Sequence, residues 1–181
     1  MPGPRRSRSR RAILTLLATV AIAAIVAGCR PAIGNGRIPP TGLVRISGTC
    51  YVVREVAGGL VQMLIDANKA GIKLAPEKHA YLPPGTPNPP RVESCYRSLE
   101  MQQWWRDYYC SIGSCGLAAV PGTSRHGWGK AVDFEQDGHE LFFDSPGYAW
   151  LKANAWKYGF RHPDWAEPGQ SSAEPWHWEA G

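Results

Sequence analysis

Apolar residues recur along this chain in two rhythms, one helical and one alternating. Leu60, Met63, Leu64 and Ala67 fall at helical spacing, and Gly71 follows as a C-cap. Ser98 is placed to N-cap a second helix through Tyr109, which would bury Leu99, Trp105 and Tyr108 or Tyr109. The best-signalled helix is predicted over 146–158. Ser145 stands at the N-cap, Pro146 at the first helical position and Gly159 just past the end, and Tyr148, Leu151, Ala155 and Tyr158 line one face. Short strands are predicted near 43–46, 51–53 and 131–134. Trp176 and Trp178 alternate with His177 and Glu179, so a strand there puts the tryptophans on one side and His177 on the other. Residues 81–90 hold five prolines and one glycine and read as a loop. Helices mixed with short strands, without a βαβ rhythm, indicate a single small α+β domain, a short antiparallel sheet flanked by helices. No internal repeat is present.

The first 28 residues follow neither rhythm. Five arginines, Arg5, Arg6, Arg8, Arg10 and Arg11, precede an uncharged apolar run over 12–28. That is the n-region and h-region of an export signal. The run ends at Val26-Ala27-Gly28-Cys29, which resembles the lipobox of bacterial lipoproteins, in which the cysteine is acylated. An uncleaved signal anchor is the alternative, although the run is slightly short for a span of about 20 residues. Ser9-Arg10-Arg11-Ala12-Ile13-Leu14 also looks like a twin-arginine signal. The expected organisation is a signal over 1–28, a Gly- and Pro-rich tether over 29–42 and a catalytic domain over 43–181. The domain is expected outside the cytoplasmic membrane, anchored through Cys29.

This assignment changes the reading of charge. The net charge of +5 lies in the signal, because the other 15 basic residues balance 15 acidic ones. No whole-domain basic field is left to attract phosphates, so no nucleic-acid partner is expected. Beyond Cys29 the cysteines are Cys50, Cys95, Cys110 and Cys115, an even number suited to an oxidising compartment. Three pairings are open. Proximity favours Cys110–Cys115 and hence Cys50–Cys95. A cysteine zinc site is disfavoured because no CxxC pair occurs.

Two segments concentrate chemistry: Ser124-Arg125-His126-Gly127-Trp128-Gly129-Lys130-Ala131-Val132-Asp133 and Glu174-Pro175-Trp176-His177-Trp178-Glu179. Gly127 and Gly129 permit a sharp bend that returns His126 towards Asp133. Imidazole and carboxylate are both good zinc donors, and His177 supplies a third. Three protein ligands leave one tetrahedral position open, as in catalytic sites. Glu174 lies three residues before His177, with Pro175 restricting the backbone between them, and suits a general base.

These segments match SxHxxGxAxD and ExWHxE at every fixed position, and Tyr96-Arg97-Ser98 with Gln102 matches YRSxxxQ. Three such boxes in order resemble the LAS zinc peptidases, most closely the VanY-type D-alanyl-D-alanine carboxypeptidases. The resemblance spans roughly 35–181 and implies a hedgehog/DD-peptidase-like fold. It implies Zn2+ held by His126, Asp133 and His177, with Glu174 as the base that activates the zinc-held water. Arg97 is implied on the scissile carbonyl oxygen, and Ser124 and Gln102 on the substrate. The implied substrate is a peptidoglycan stem peptide that loses its terminal D-alanine, and the enzyme is expected to be monomeric. A wall endopeptidase with the same chemistry is one rival. A non-catalytic, lipid-anchored wall-binding module is another, but it would be expected to lose a ligand or the base.

Other residues have plainer readings. His79, His139 and His162 lack a ligand-like setting and are expected at the surface or in loops. Trp104, Trp105, Trp150 and Trp156 have helical settings and are expected in the core. Trp128, Trp176 and Trp178 flank the ligands and are candidates for the cleft wall. Glu179 shares a face with His177, and can either orient it or meet solvent.

Overall fold

The structure is a computed structural model that describes Met1 and residues 33–181, and the compact unit is Ile33–Gly181. The segment over 1–28 expected to be an export signal, and Cys29 expected to be acylated, lie outside the described residues apart from Met1. No helix among the described residues is long and apolar enough to cross a membrane.

The unit begins with a hairpin, β1 (Leu43–Ser47) and β2 (Cys50–Val53), that leads directly into helix α1 (Arg54–Lys69). α1 buries Val56, Leu60, Met63 and Ala67, the face its spacing predicts. The helix ends as predicted at Gly71, whose φ of 79° is cheap only for glycine. The Ile72 N–H donates to the Ala67 carbonyl and the Gly71 N–H to that of Asn68, a Schellman pair that satisfies the last open carbonyls. Strand β3 (Leu74–Pro76) then joins the main sheet.

That sheet is antiparallel throughout, in the order β3, β4 (Ala131–Gln136), β7 (His177–Ala180), β6 (Phe160–Arg161), with β5 (His139–Glu140) paired to β4. Helix α2 (Leu99–Ser111) carries Ser98 as its N-cap, the Oγ accepting from the Met101 N–H at 3.3 Å. Helix α3 (Pro146–Asn154) tightens into a 3-10 turn over Ala155–Tyr158 and stops at Gly159. The combination is the α+β class the sequence implies. Val132, Phe134, Phe160 and Trp178 meet α1 and α3 residues in one apolar core. Both predicted disulfides are formed, Cys50–Cys95 and Cys110–Cys115.

Several expectations need correction. α2 fully buries Met101 and Gln102, while Leu99, Trp105, Tyr108 and Tyr109 are only half-buried. Its aromatic face borders a cleft rather than the core. Ser145 holds the N-cap position of α3, but its hydroxyl accepts from the Phe142 N–H instead of the helix. Trp156 is 69% exposed and lies outside the core. Residues 35–42, read as the end of a tether, are fastened to the domain. The Asn35 amide donates to the Ser124 carbonyl at 2.7 Å, and the Ile38 N–H donates to the Tyr96 hydroxyl at 3.1 Å.

Candidate metal centre and cleft

Strand register builds the site. β4 is buried along nearly its whole length, with Val132 and Phe134 in the core and Asp133 and Glu135 on the other face. In the β4–β7 ladder Val132 lies opposite Trp178 and Asp133 lies opposite His177. The pleat that drives Trp178 into the core therefore brings His177 beside Asp133. Trp178, 1% exposed, is thus a core residue and not part of the cleft wall.

His126 arrives from the 3-10 turn Arg125–Trp128, where the Ser124 hydroxyl accepts from the His126 N–H at 3.2 Å. Gly127 is required by space, because a Cβ there would lie 1.8 Å from Asn35 Oδ1. His126 Nδ1 faces the Cys95 carbonyl at 2.8 Å, and a carbonyl only accepts, so Nδ1 carries the proton and Nε2 is left as a lone pair. His177 Nε2 faces Glu179 Oε1 at 3.3 Å, which likewise turns Nδ1 inward. Glu179 therefore orients His177, and Arg125 Nε stands 3.7 Å from its other oxygen.

The three inward atoms are mutually close. His126 Nε2 to His177 Nδ1 is 3.1 Å, His126 Nε2 to Asp133 Oδ1 is 3.1 Å, and His177 Nδ1 to Asp133 Oδ1 is 3.0 Å. Tetrahedral zinc with ligands at about 2.0–2.1 Å needs donor pairs about 3.3 Å apart, so the trio fits one small divalent ion. All three residues are buried, and the donor set is two imidazoles and one carboxylate.

Electrostatics follow from this crowding. Burial, assisted by the Arg97 charge, drives His126 down to about 4. For His177 burial also pulls down, but hydrogen bonds to Asp133 and Glu179 outweigh it and raise the imidazole to about 9. Burial would raise Asp133, yet His126 and His177 hold it well below the usual carboxylate range. In the metal-free site one proton, on His177, occupies the place a cation would take.

Glu174 stands at the rim, with Oε2 3.9 Å from His177 Nδ1, and burial raises it to about 7. Its backbone is a tight turn in which the His177 N–H donates to the Glu174 carbonyl at 3.2 Å across Pro175. The cleft above the trio is lined by Glu77, Arg97, Trp105, Tyr109, Ser124 and Trp176, among others.

The remaining candidate residues fall around this cleft. Arg97 donates from Nη2 to Asp133 Oδ2 at 3.0 Å, holding the carboxylate so that Oδ1 faces the histidines. Its guanidinium also lies 5.9 Å over the Trp105 ring. Gln102 borders the cleft with its amide engaged by the protein. Nε2 donates to Asn35 Oδ1 and the Arg97 carbonyl, and Oε1 accepts from the Gly122 N–H. Ser124 lines the cleft while capping the His126 turn.

Three residues at the site were not legible in the sequence. Glu77 follows β3, and its N–H donates to the Asp133 carbonyl at 2.9 Å, so Asp133 is flanked by Glu77 on one side and His177 on the other. Burial and the Asp133 charge raise the Glu77 carboxyl well above its usual range. Trp165 lays its ring 4.9 Å from that of His177 and is 43% exposed. His162, expected at the surface or in a loop, does lie in a loop after β6, but its side chain is only 1% exposed. His79 and His139 are exposed as expected.

Two imidazoles and a carboxylate converge beneath a cleft that Asp133 and Glu174 line, a donor set that suits a catalytic metal site better than a structural one. Comparison with known proteins gives the same direction. The profile of the family described as VanY, D-alanyl-D-alanine carboxypeptidase, matches residues 89–179, and the chain belongs to that family of peptidases. A D-alanyl-D-alanine carboxypeptidase of Enterococcus faecalis (strain ATCC 700802 / V583) is 38% identical over 105 residues. The match covers 49% of this chain and 39% of the relative, so the chain spans about two fifths of that relative's length. Among solved structures, the LdcB LD-carboxypeptidase superposes with a TM-score of 0.58 at 26% identity, over 82% of this chain and 74% of that one. The vancomycin-resistance D,D-pentapeptidase VanY in complex with Zn(II) gives 0.56 at 26%, over 79% and 82%. VanYB in complex with D-alanine-D-alanine gives 0.56 at 26%, over 79% and 80%.

Proposed function

We propose that the chain is a zinc-dependent carboxypeptidase that removes the terminal D-alanine from peptidoglycan stem peptides. The observation that carries this reading is the convergence of His126 Nε2, Asp133 Oδ1 and His177 Nδ1 within 3.1 Å of one another, beneath the Glu174 carboxyl. Those three atoms would hold the ion. Zinc in such a site supplies a Lewis acid and lowers the pKa of water to about 7.

The chain's own residues do the rest. Glu174, held near neutrality by burial, accepts a proton from the attacking water as its oxygen bonds to the scissile carbonyl carbon. As the C–N bond breaks, the same carboxyl returns that proton to the departing amine nitrogen. Arg97 keeps Asp133 in register through Oδ2, and its remaining N–H groups serve the carbonyl oxygen as it gains charge. Trp105, Tyr109 and Trp176 line the cleft and offer aromatic surface to a bound peptide.

The test is incubation of the zinc-loaded protein with a stem pentapeptide, read by mass spectrometry. Loss of one alanine is expected. Internal cleavage would make the protein an endopeptidase, and no cleavage would remove the enzymatic reading. Glu174→Gln is expected to abolish turnover with zinc retained. Unchanged turnover would remove Glu174 from the mechanism.

Export and lipid anchoring through Cys29 belong to the same proposal. The arginine-led apolar run before Cys29 supports them, as do the two disulfides. Cys29→Ala is expected to move the protein from the membrane fraction to the soluble one. A variant still sedimenting with membranes would point to an uncleaved anchor.

A further inference from the structure

Among the described residues outside the ligand trio, His162 is, with Glu135, one of the buried titratable groups that the proposed chemistry does not use. It follows β6, twelve residues before Glu174. Its Nε2 lies 2.9 Å from the Glu174 carbonyl oxygen. A carbonyl only accepts, so Nε2–H is the donor. On the other side of the ring Nδ1 lies 3.1 Å from Glu167 Oε1 and makes no hydrogen bond. Glu167 is itself fixed, with Lys152 Nζ at 2.5 Å from Oε1 and the Tyr148 hydroxyl donating to Oε2 at 3.3 Å. The ring is boxed by Trp178, Tyr148 and Phe143, at centroid distances of 4.9, 5.3 and 6.3 Å.

We infer that His162 is a positioning residue that holds the Glu174 backbone, and through it the base, in register with the metal centre. The inference rests on the reading of Glu174 as the base. The need for such a fastener is visible in the chain. Glu174 is carried by a segment without regular structure over 167–176, which includes Pro168, Gly169 and the serines Ser171 and Ser172. Before β7 begins, its own backbone is tied at two points besides His162: its N–H donates to the Ala166 carbonyl, and its carbonyl accepts from the His177 N–H. The His162 bond uses the second lone pair of that carbonyl and ties it to a ring packed against Tyr148 of α3. A carboxyl that must sit within hydrogen-bond reach of a water loses rate steeply when displaced by about 1 Å.

The test compares the full-length protein with His162→Leu, His162→Gln and His162→Asn. Gln places an amide N–H near the reach of Nε2, Leu offers no donor, and Asn is too short. With stem pentapeptide as substrate, Leu is expected to lower kcat by about 10- to 100-fold, with KM within about twofold and bound zinc unchanged. Gln is expected to recover most of the loss, and Asn little. Hydrogen exchange on metal-free protein should quicken over 167–177 in the Leu variant and return to wild-type protection in the Gln variant. A Leu variant with kcat within twofold of wild type would overturn the inference, as would Gln and Asn behaving alike. If the Leu variant does not fold, the Gln–Asn comparison decides alone.

Full turnover by Glu174→Gln would instead remove the reading of Glu174 as base. The exchange measurement would still report whether His162 holds the segment.

Discussion

At the scale of single residues the site is a set of constrained protons. His126 can offer Nε2 only because the Cys95 carbonyl claims its Nδ1 proton, and His177 is oriented in the same way by Glu179. At neutral pH the metal-free trio carries one imidazolium, with His177 raised to about 9 and His126 lowered to about 4. Zinc uptake at pH 7 is therefore expected to release about one proton, from His177. Apparent zinc affinity should rise about tenfold per pH unit from pH 6.5 towards 9 and then level. The sign for stability is opposite. A raised imidazole stabilises the metal-free fold below pH 6.5, and that contribution is lost as pH rises through about 9. Calorimetry in buffers of different ionisation enthalpy counts the protons, and a count near zero at pH 7 would contradict this protonation pattern. Gly127 makes a steric prediction. With a Cβ 1.8 Å from Asn35 Oδ1 and 2.4 Å from Gln102 Nε2, Gly127→Ala should destabilise the fold by about 1–3 kcal/mol and displace His126. Denaturant titration and zinc stoichiometry would both register it.

At the scale of elements, the two disulfides have unequal tasks. Cys50–Cys95 closes 45 residues and ties β2 to the residue whose carbonyl orients His126. Cys110–Cys115 closes five and pins the end of α2 to the turn beside the cleft. Loop-closure entropy assigns about 4 kcal/mol to the first and about 2 kcal/mol to the second. Replacing Cys50 and Cys95 by alanine should thus cost the greater stability and weaken zinc binding, whereas replacing Cys110 and Cys115 should leave zinc binding unchanged. Equal zinc affinity in both variants would separate His126 from its disulfide. The elements also divide into what the chain declared in advance and what it concealed. The α1 face, its Gly71 cap and the alternation through β7 are local patterns, and they placed Trp178 and His177 on opposite faces without reference to the rest of the molecule. Glu77, Trp165 and His162 reach the site through pairing of β3 with β4 and through the packing of the 160–167 segment. Neither leaves a periodic trace. α2 misled for a related reason. Its aromatic residues follow a helical stripe, but the stripe faces a cleft, and periodicity cannot tell a cleft from a core.

At the scale of the whole molecule, the ligands and the cleft walls come from different parts of the chain. His126, Asp133 and His177 sit on a 3-10 turn and two paired strands, whereas cleft walls come from Glu77 and the segment from Arg97 to Tyr109, which Asn35 braces through Gln102. The walls are joined to the floor by Arg97 on Asp133, Glu77 on the Asp133 backbone and Asn35 on Ser124. An ion that binds the folded trio and not the unfolded chain must stabilise this whole assembly, by about 2.7 kcal/mol at a free concentration one hundred times its Kd. For a unit of this size that corresponds to a rise in Tm of roughly 5–10 °C. Chelation should lower Tm by that amount, and zinc should restore it. The increment should vanish in His177→Ala, where two donors remain, and persist in Glu174→Gln, where all three do. A chelator that left Tm unmoved in wild-type protein would mean that the trio is held by its internal proton alone, and the proposed metal chemistry would lose its foundation.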